Sequence, residues 1–279
     1  MKIEELLKLG INELNNIDEA SLKIKMILAY ILREDKSYLV IHKDREISGK
    51  EYEEFLNSIQ RLKQGEPVQY IIEKTEFYGL EFNVTSDVLI PQPDTEILVE
   101  EVIDIYNKNY SGKNDKVNIL DLCTGSGAIA VSLKKNLSNV ELFASDISLK
   151  ALDIAKKNAI QNETEIDFIE SNLFENIDKK FDIIVSNPPY IERRVLDTLP
   201  EEVKYEPVLA LDGGADGLEF YRKIIKDSKN YLNENGVLAL EIGFDQKKSV
   251  IGLMEQEGYK DIYSKKDYGG NDRIVVSRI

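Results

Sequence analysis

The stretch from Val117 to Asp146 restricts this chain to a small set of folds. Val117-Asn118-Ile119-Leu120-Asp121-Leu122 is a short, nearly continuous apolar run, which reads as a strand buried on both faces. Cys123-Thr124-Gly125-Ser126-Gly127 follows as a glycine turn, and Ala128-Ile129-Ala130-Val131-Ser132-Leu133 opens a helix. A second apolar run, Val140 to Ser145, then ends in Asp146. Strand, glycine turn, helix and strand make a crossover unit, which implies a parallel sheet with helices on its faces. Gly125 and Gly127 let the backbone bend sharply and approach a ligand, and the helix start presents free N–H groups. A carboxylate about 20 residues beyond the turn is placed to accept both hydroxyls of a ribose. This pattern alone does not separate NAD from S-adenosylmethionine.

A second segment narrows the chemistry. Phe181-Asp182-Ile183-Ile184-Val185-Ser186 reads as a further buried strand, and it ends in Asn187-Pro188-Pro189-Tyr190. Proline lacks a backbone N–H and fixes φ near −65°, so the strand stops and nearby carbonyls are held with no donors beside them. A primary amide or exocyclic amine has two N–H donors, which the Asn187 side-chain carbonyl and the Pro188 backbone carbonyl can accept. Tyr190 offers a flat face for the planar group. The plainer reading is a Pro-Pro turn with Asn187 as a helix cap.

The rest of the chain supplies the frame. Residues 1–72 show helical spacing, with Ile3, Leu6, Leu7 and Ile11 on one face, then Leu22, Met26, Ile27, Tyr30 and Ile31, then Tyr52, Phe55, Leu56 and Ile59. They read as a small helical bundle, with Asp18 and Ser48 as N-caps and Gly65 closing the last long helix ahead of Pro67. Residues 73–90 alternate around Gly79 as a β-hairpin linker, and residues 91–279 alternate strands and helices. Strands are expected at Ile166–Ile169, Gly236–Ile242, Tyr259–Tyr263 and Arg273–Arg278.

Composition excludes several chemistries. One Cys and one His cannot build a Cys/His metal cluster, so no metal site is expected, and Cys123 has no partner for an internal disulfide. No apolar stretch reaches membrane-span length and Met1-Lys2-Ile3-Glu4-Glu5 has no signal-peptide character, so a cytoplasmic enzyme with no membrane partner is expected. The formal charge is −15. Residues 1–72 carry 11 Lys and Arg against 13 Asp and Glu, so most of the excess lies in the catalytic part. A phosphate backbone would be repelled there, and a basic protein partner fits better than nucleic acid.

The pairing of Asp121-x-x-x-Gly125-x-Gly127 with Asn187-Pro188-Pro189-Tyr190 resembles the class I S-adenosylmethionine methyltransferases that act on planar amino or amide nitrogens. Within them the chain is similar to the bacterial protein-(glutamine-N5) methyltransferases of peptide chain release factors. Ile90-Pro91-Gln92-Pro93-Asp94-Thr95-Glu96, Tyr205-Glu206-Pro207, Leu211 to Leu218 and Asp272-Arg273-Ile274-Val275 carry the likeness across the whole chain. The resemblance implies an α/β, Rossmann-like, doubly wound seven-stranded sheet with its final strand antiparallel, joined to the small helical bundle by the hairpin. It implies that Cys123, Thr124, Gly125, Ser126 and Gly127 face the methionine end of the cofactor, Asp146 the ribose, and Asn172 with Leu173 the adenine, with Asn187 beside them.

It further implies Asn187 and Pro188 as catalytic groups, with Pro189 and Tyr190 completing the substrate site. The substrate would be the glutamine of the Gly-Gly-Gln loop of a class I release factor. Asp121 would hold the turn, or the cofactor's amine through water. Three positions depart from the family pattern: Gln92 where Arg is usual, Cys123 where Gly is common, and Asn172 where Asp is usual. The Tyr205–Leu218 segment reads either as a surface loop or as a wall of the substrate entrance. Glu201, Glu202 and Glu206 read as a solvated acidic face.

Overall fold

The structure, a computed structural model, describes residues 1–14, 16–112 and 115–279. The chain divides into two compact units: Met1–Lys74 with Pro200–Tyr205, and Thr75–Leu199 with Glu206–Ile279.

In the first unit α1 (Ile3–Glu13), α2 (Ala20–Leu32), α3 (Lys36–Ile41), α4 (Gly49–Lys63) and α5 (Val68–Ile71) pack around Ile3, Leu6, Ile24, Ile27, Leu28, Phe55 and Ile59. The expected face of α2 is rotated: Leu22 and Tyr30 are exposed, and Ile24, Leu28 and Leu32 are buried beside Ile27. This helix is apolar all round, so spacing alone does not choose its inner face. Ser48 caps α4 in a reciprocal box with Glu51, an arrangement worth about 1 kcal/mol. Asp18 caps nothing. The residue before α2 is Glu19, in a left-handed conformation with no side-chain cap bond. Pro200–Tyr205 joins this unit through Lys23 Nζ on Glu202 at 2.5 Å and the Tyr205 hydroxyl donating to the Gln64 carbonyl at 3.1 Å.

The second unit opens with a hairpin, β1 (Lys74–Phe77) and β2 (Leu80–Asn83). Its two turn residues, Tyr78 and Gly79, have φ of 51° and 71°, the mirror-image turn that matches the twist of paired strands. α6 (Glu96–Asn109), β3 (Val117–Leu122), α7 (Ala128–Asn136), β4 (Val140–Asp146), α8 (Leu149–Gln161), β5 (Asp167–Glu170) and β6 (Phe181–Ser186) follow in alternation. After α9 (Glu201–Lys204) of the first unit come α10 (Val208–Leu211), α11 (Glu219–Ser228), β7 (Leu232–Glu241), α12 (Lys247–Gln256), β8 (Lys260–Lys266) and β9 (Asp272–Arg278).

Among the described residues these strands form a seven-stranded sheet in the order β5-β4-β3-β6-β7-β9-β8, parallel except for β9, which runs antiparallel to both neighbours. Val117 and Ile119 pack on one face with α6 and α7, while Leu120 and Leu122 pack on the other with α11 and α12. Each such fully buried side chain contributes roughly 1.5–3 kcal/mol. The strand order reverses between β4 and β6 around β3. A doubly wound sheet opens its crevice at that point, beyond the carboxyl ends of the strands.

Candidate active site

β3 and β4 deliver the glycine turn and a carboxylate side by side, because Leu122 pairs with Ser145 in register. Cys123 leaves the strand at φ 63°, a conformation costly for a residue with a Cβ, and Gly125 and Gly127 continue the turn at 55° and 81°. A Cβ on Gly127 would lie 3.0 Å from the Ala155 Cβ, so that glycine lets α8 pack against the turn. A Cβ on Gly125 would meet nothing, so the backbone there borders open space. Asp146 Oδ2 accepts from Gly125 N at 2.9 Å and Oδ1 from Ser148 N at 2.9 Å. A carboxylate has about four acceptor positions, so each oxygen keeps capacity for a ligand hydroxyl.

Asp121 sits beneath this turn, fully buried. Its Oδ2 accepts from Thr124 Oγ1 at 2.5 Å and Ala130 N at 3.2 Å, which ties the turn to the first residues of α7. Its Oδ1 has no partner, and burial pushes the carboxyl up to about 7. Asn158 on α8, which the motifs did not single out, donates to the carbonyls of Ser126 and Asn83 and so fixes the far side of the turn.

The next strand end supplies a second polar wall. Asn172 Nδ2 donates to Glu175 Oε1 at 2.8 Å, which leaves the Asn172 carbonyl oxygen as a free acceptor. Leu173 is held at φ 51°, with its carbonyl accepting from Ser171 Oγ at 2.7 Å. Ser171 N in turn donates to the Asp146 carbonyl at 2.9 Å, so the two strand ends are joined.

β6 ends in Asn187. Its Nδ2 donates to Thr95 Oγ1 at 3.3 Å, which leaves Oδ1 unengaged. Asn187 and Pro189 line a cavity of about 240 Å³ together with Cys123 to Ser126, Asp146, Asn172, Leu173 and Thr95. Gly127, Pro188 and Tyr190 are not on that wall. Gly127 faces α8, Pro188 is buried, and Tyr190 turns its hydroxyl inward to the Glu241 carboxyl, where burial raises it well above the usual phenol range. No described residue donates to the Pro188 carbonyl. Gly213 packs its backbone on Tyr190 so closely that a Cβ would come within 2.7 Å, and Pro207, Leu209 and Ala210 line the cavity. Of the Tyr205–Leu218 segment, which reads as either a surface loop or an entrance wall, Pro207, Leu209 and Ala210 thus form a wall of the cleft. Glu206 is no solvated side chain: it is 8% exposed, burial pushes its carboxyl up to about 7, and its Oε2 has no partner among the described residues.

Thr95, which accepts from the Asn187 amide, and Glu241, buried at the end of β7, are positions that motif reading missed. Thr95 lay inside a quoted motif without a role. Glu241 could have been noticed as an acid closing an apolar strand, one step past the Ser186–Leu240 register pair and so level with Asn187.

Gly125 opening on free space, the spare acceptor positions of Asp146 and the free carbonyl oxygen of Asn172 fit a ribose-bearing, adenine-bearing cofactor. Together with the sheet order they define a class, the Rossmann-like S-adenosylmethionine-dependent methyltransferases. Residues 95–201 match the methyltransferase small domain, and residues 5–72 match the PrmC N-terminal domain. A crystal structure of a methyltransferase from Pyrococcus furiosus shares the fold, with 17% identity and a TM-score of 0.51 over 83% of this chain and 98% of that one.

Closer relatives are two release factor glutamine methyltransferases. That of Clostridium acetobutylicum is 40% identical over 91% of this chain and 89% of its own length. That of Clostridium botulinum is 39% identical over 100% and 99%. The chain belongs to the release factor glutamine methyltransferase family. Among the described residues no helix is long and apolar enough to cross a membrane.

Proposed function

We propose that the chain methylates the side-chain amide nitrogen of a glutamine in the Gly-Gly-Gln loop of a class I peptide chain release factor, with S-adenosylmethionine as donor. The observation that carries this reading is the orientation of Asn187: its amide N–H is spent on Thr95, and its carbonyl oxygen is left for a donor in the cleft. Pro188 does not line the cavity, but no described residue donates to its carbonyl, which would be the second acceptor for an amide that reaches the strand end beside Asn187. Two acceptors suit the two N–H bonds of an NH2 group.

When bound, S-adenosylmethionine supplies an electrophilic methyl group on a sulfonium sulfur. Cys123 to Ser126 would flank its methionine end, Asp146 would accept its ribose hydroxyls, and Asn172 with Leu173 would hold its adenine. A glutamine amide is a weak nucleophile because its lone pair is delocalised into the carbonyl. By accepting both N–H bonds, Asn187 and Pro188 would localise that pair, orient it and stabilise the positive charge that develops on nitrogen. The part of these residues would be to aim the amide nitrogen at that methyl group, the bonding pair of the broken sulfur–methyl bond being left on sulfur. The N-methylated amide cation is acidic enough to pass its extra proton to water, so no strong base is needed beforehand.

Specificity needs more surface than a short loop provides. Residues 1–72 are the proposed second docking surface for the release factor, with residues 73–90 as linker to the catalytic residues 91–279. Val40 and Ile41 on α3 are 71% and 73% exposed, so Val40→Asp with Ile41→Asp should raise KM for the intact factor several-fold and leave cofactor affinity unchanged. Equal KM values for variant and wild type would remove that patch from docking. The reaction itself is tested by incubating the chain with labelled S-adenosylmethionine and, separately, release factor, DNA and rRNA. Label on the release factor glutamine is expected, and label confined to nucleic acid would refute the reading.

A further inference from the structure

Behind Asn187 lies a buried polar group that the reaction as described does not use. Glu241, at the carboxyl end of β7, is 2% exposed. The hydroxyls of Thr95 and Tyr190 lie close to its carboxyl and favour its charged form, while its Oε2 has no partner among the described residues. The Tyr221 hydroxyl donates to its main-chain carbonyl at 2.9 Å. Arg273 is the nearby cation, but its guanidinium is already shared between Asp94 at 3.0 Å and Asp267 at 2.9 Å. A buried carboxyl with so little compensation is costly to keep unless it performs a task.

The sheet register suggests the task. β6 and β7 bring Asn187 and Glu241 to one edge, and Thr95, at the start of α6, lies between them. A threonine hydroxyl has one hydrogen and two lone pairs. When that hydrogen is directed to a carboxylate, Thr95 Oγ1 presents only lone pairs to Asn187. An Asn side chain can rotate by half a turn with almost no change of shape. Facing lone pairs, the orientation with NH2 toward Thr95 gains a hydrogen bond, and the reverse orientation sets oxygen against oxygen.

We propose that Glu241 is a positioning residue for Asn187: by holding the Thr95 hydroxyl as a donor toward itself, it fixes the Asn187 amide with its carbonyl oxygen toward the substrate. The inference rests on the reading above, in which that oxygen accepts an N–H of the substrate glutamine. Without the carboxylate, the Thr95 hydrogen is free to turn to Asn187. The flipped amide then presents NH2 to an NH2, and the substrate is repelled at the reacting centre.

The test uses the full-length protein at pH 8, above the value of about 7 to which burial pushes this carboxyl. Glu241→Gln keeps the shape and replaces an acceptor-only group with one that can donate to Thr95. It should lower kcat on intact release factor by roughly 10- to 100-fold, with KM and cofactor affinity within about twofold of wild type. Thr95→Val should reproduce the loss, Thr95→Ser should retain activity, and the double variant Glu241→Gln/Thr95→Val should be no worse than either single one.

A second readout needs no substrate. The Asn187 side-chain NH2 resonances, assigned by their loss in Asn187→Ala, should be protected from hydrogen exchange in wild type and Thr95→Ser, and lose that protection in Glu241→Gln. If Glu241→Gln does not fold, Glu241→Met carries the same two readouts. Wild-type kcat in the Glu241 variant, or unchanged protection of the Asn187 amide, would overturn the proposal. Failure of the wild type to modify any glutamine would instead refute the function, while the amide resonances would still decide the positioning role.

Discussion

The two ends of the cleft are built in different ways. At the β4 end, Asp146 takes its partners from nearby backbone, Gly125 N and Ser148 N, and the supporting acid Asp121 lies in the same crossover unit. At the β6 end, the side chain of Asn187 is placed by Thr95, which is 92 residues away in sequence, and Thr95 leans on Glu241, close to Arg273 from the last strand. The first end is a local motif, repeated wherever strand, glycine turn and strand recur. The second is a long-range assembly that exists only once the sheet has closed. On the proposed reading, cofactor recognition depends on contiguous chain, and amide recognition on tertiary structure.

The largest expected effect separates the two ends most sharply. Asn187→Ala removes an acceptor that acts mainly in the transition state, so kcat should fall by roughly 10²–10³-fold with cofactor affinity nearly unchanged. Calorimetry together with single-turnover methyl transfer measures the split, and wild-type turnover would remove Asn187 from the mechanism.

A stability effect of similar size tests whether the buried acids at the two ends behave alike. Burial raises Asp121 and Glu241, and Glu206 as well, to about 7, whereas unfolded carboxyls titrate near 4. Between these values the folded chain binds more protons than the unfolded chain, so stability falls as pH rises through that window and levels off above it. Urea unfolding at pH 5 and pH 8 should differ by on the order of a few kcal/mol in wild type. The difference should shrink in Asp121→Asn, whose side chain cannot ionise. Equal differences in the two proteins would show that Asp121 contributes none of the slope.

At the β4 end, Asp146→Ala should weaken S-adenosylmethionine binding by about 1.5–3 kcal/mol, the range for a hydrogen bond to a charged acceptor. It should leave the Asn187 side-chain signals untouched. A folded variant with unchanged affinity would detach Asp146 from the cofactor.

The smallest effect concerns Asn172, which stands where the pattern of the resembled family has Asp. Asn172→Asp restores the family's usual residue but sets a second carboxylate against Glu175, now 2.8 Å from the Asn172 nitrogen. We expect no gain in cofactor affinity from Asn172→Asp alone, and a gain of a few-fold when Glu175→Gln is added. A gain from the single substitution would mean that Glu175 moves aside at little cost.

The same contrast explains what could be read in the sequence. β3 and β6 occupy the expected residues, because each is an apolar run closed by a glycine or proline signal. β7 starts four residues before the expected Gly236, at Leu232, because Leu232 pairs with Phe181 ahead of a register shift that leads into the Ile183–Val237 pair, an irregularity that apolar patterning does not announce. The bundle was legible as helices, yet the inner face of α2 was not, because its apolar residues surround the helix. Asp146 and the glycine turn were legible as local signals, Asn187 as a strand-end motif, and Asn172 only through the family resemblance. The roles of Thr95 and Glu241 were not, because nothing in either neighbourhood records which distant side chain the fold will place beside it. Glu206 misled for the same reason: its charge suggests solvent, and tertiary packing buries it.

Mass spectrometry of an intact class I release factor after incubation with the full chain and S-adenosylmethionine tests the central claim most directly. The account predicts one added methyl group, located on the side-chain amide nitrogen of the Gly-Gly-Gln glutamine, and almost none at equal times with Asn187→Ala. A methyl group on any other residue, or an equal yield from Asn187→Ala, would contradict it.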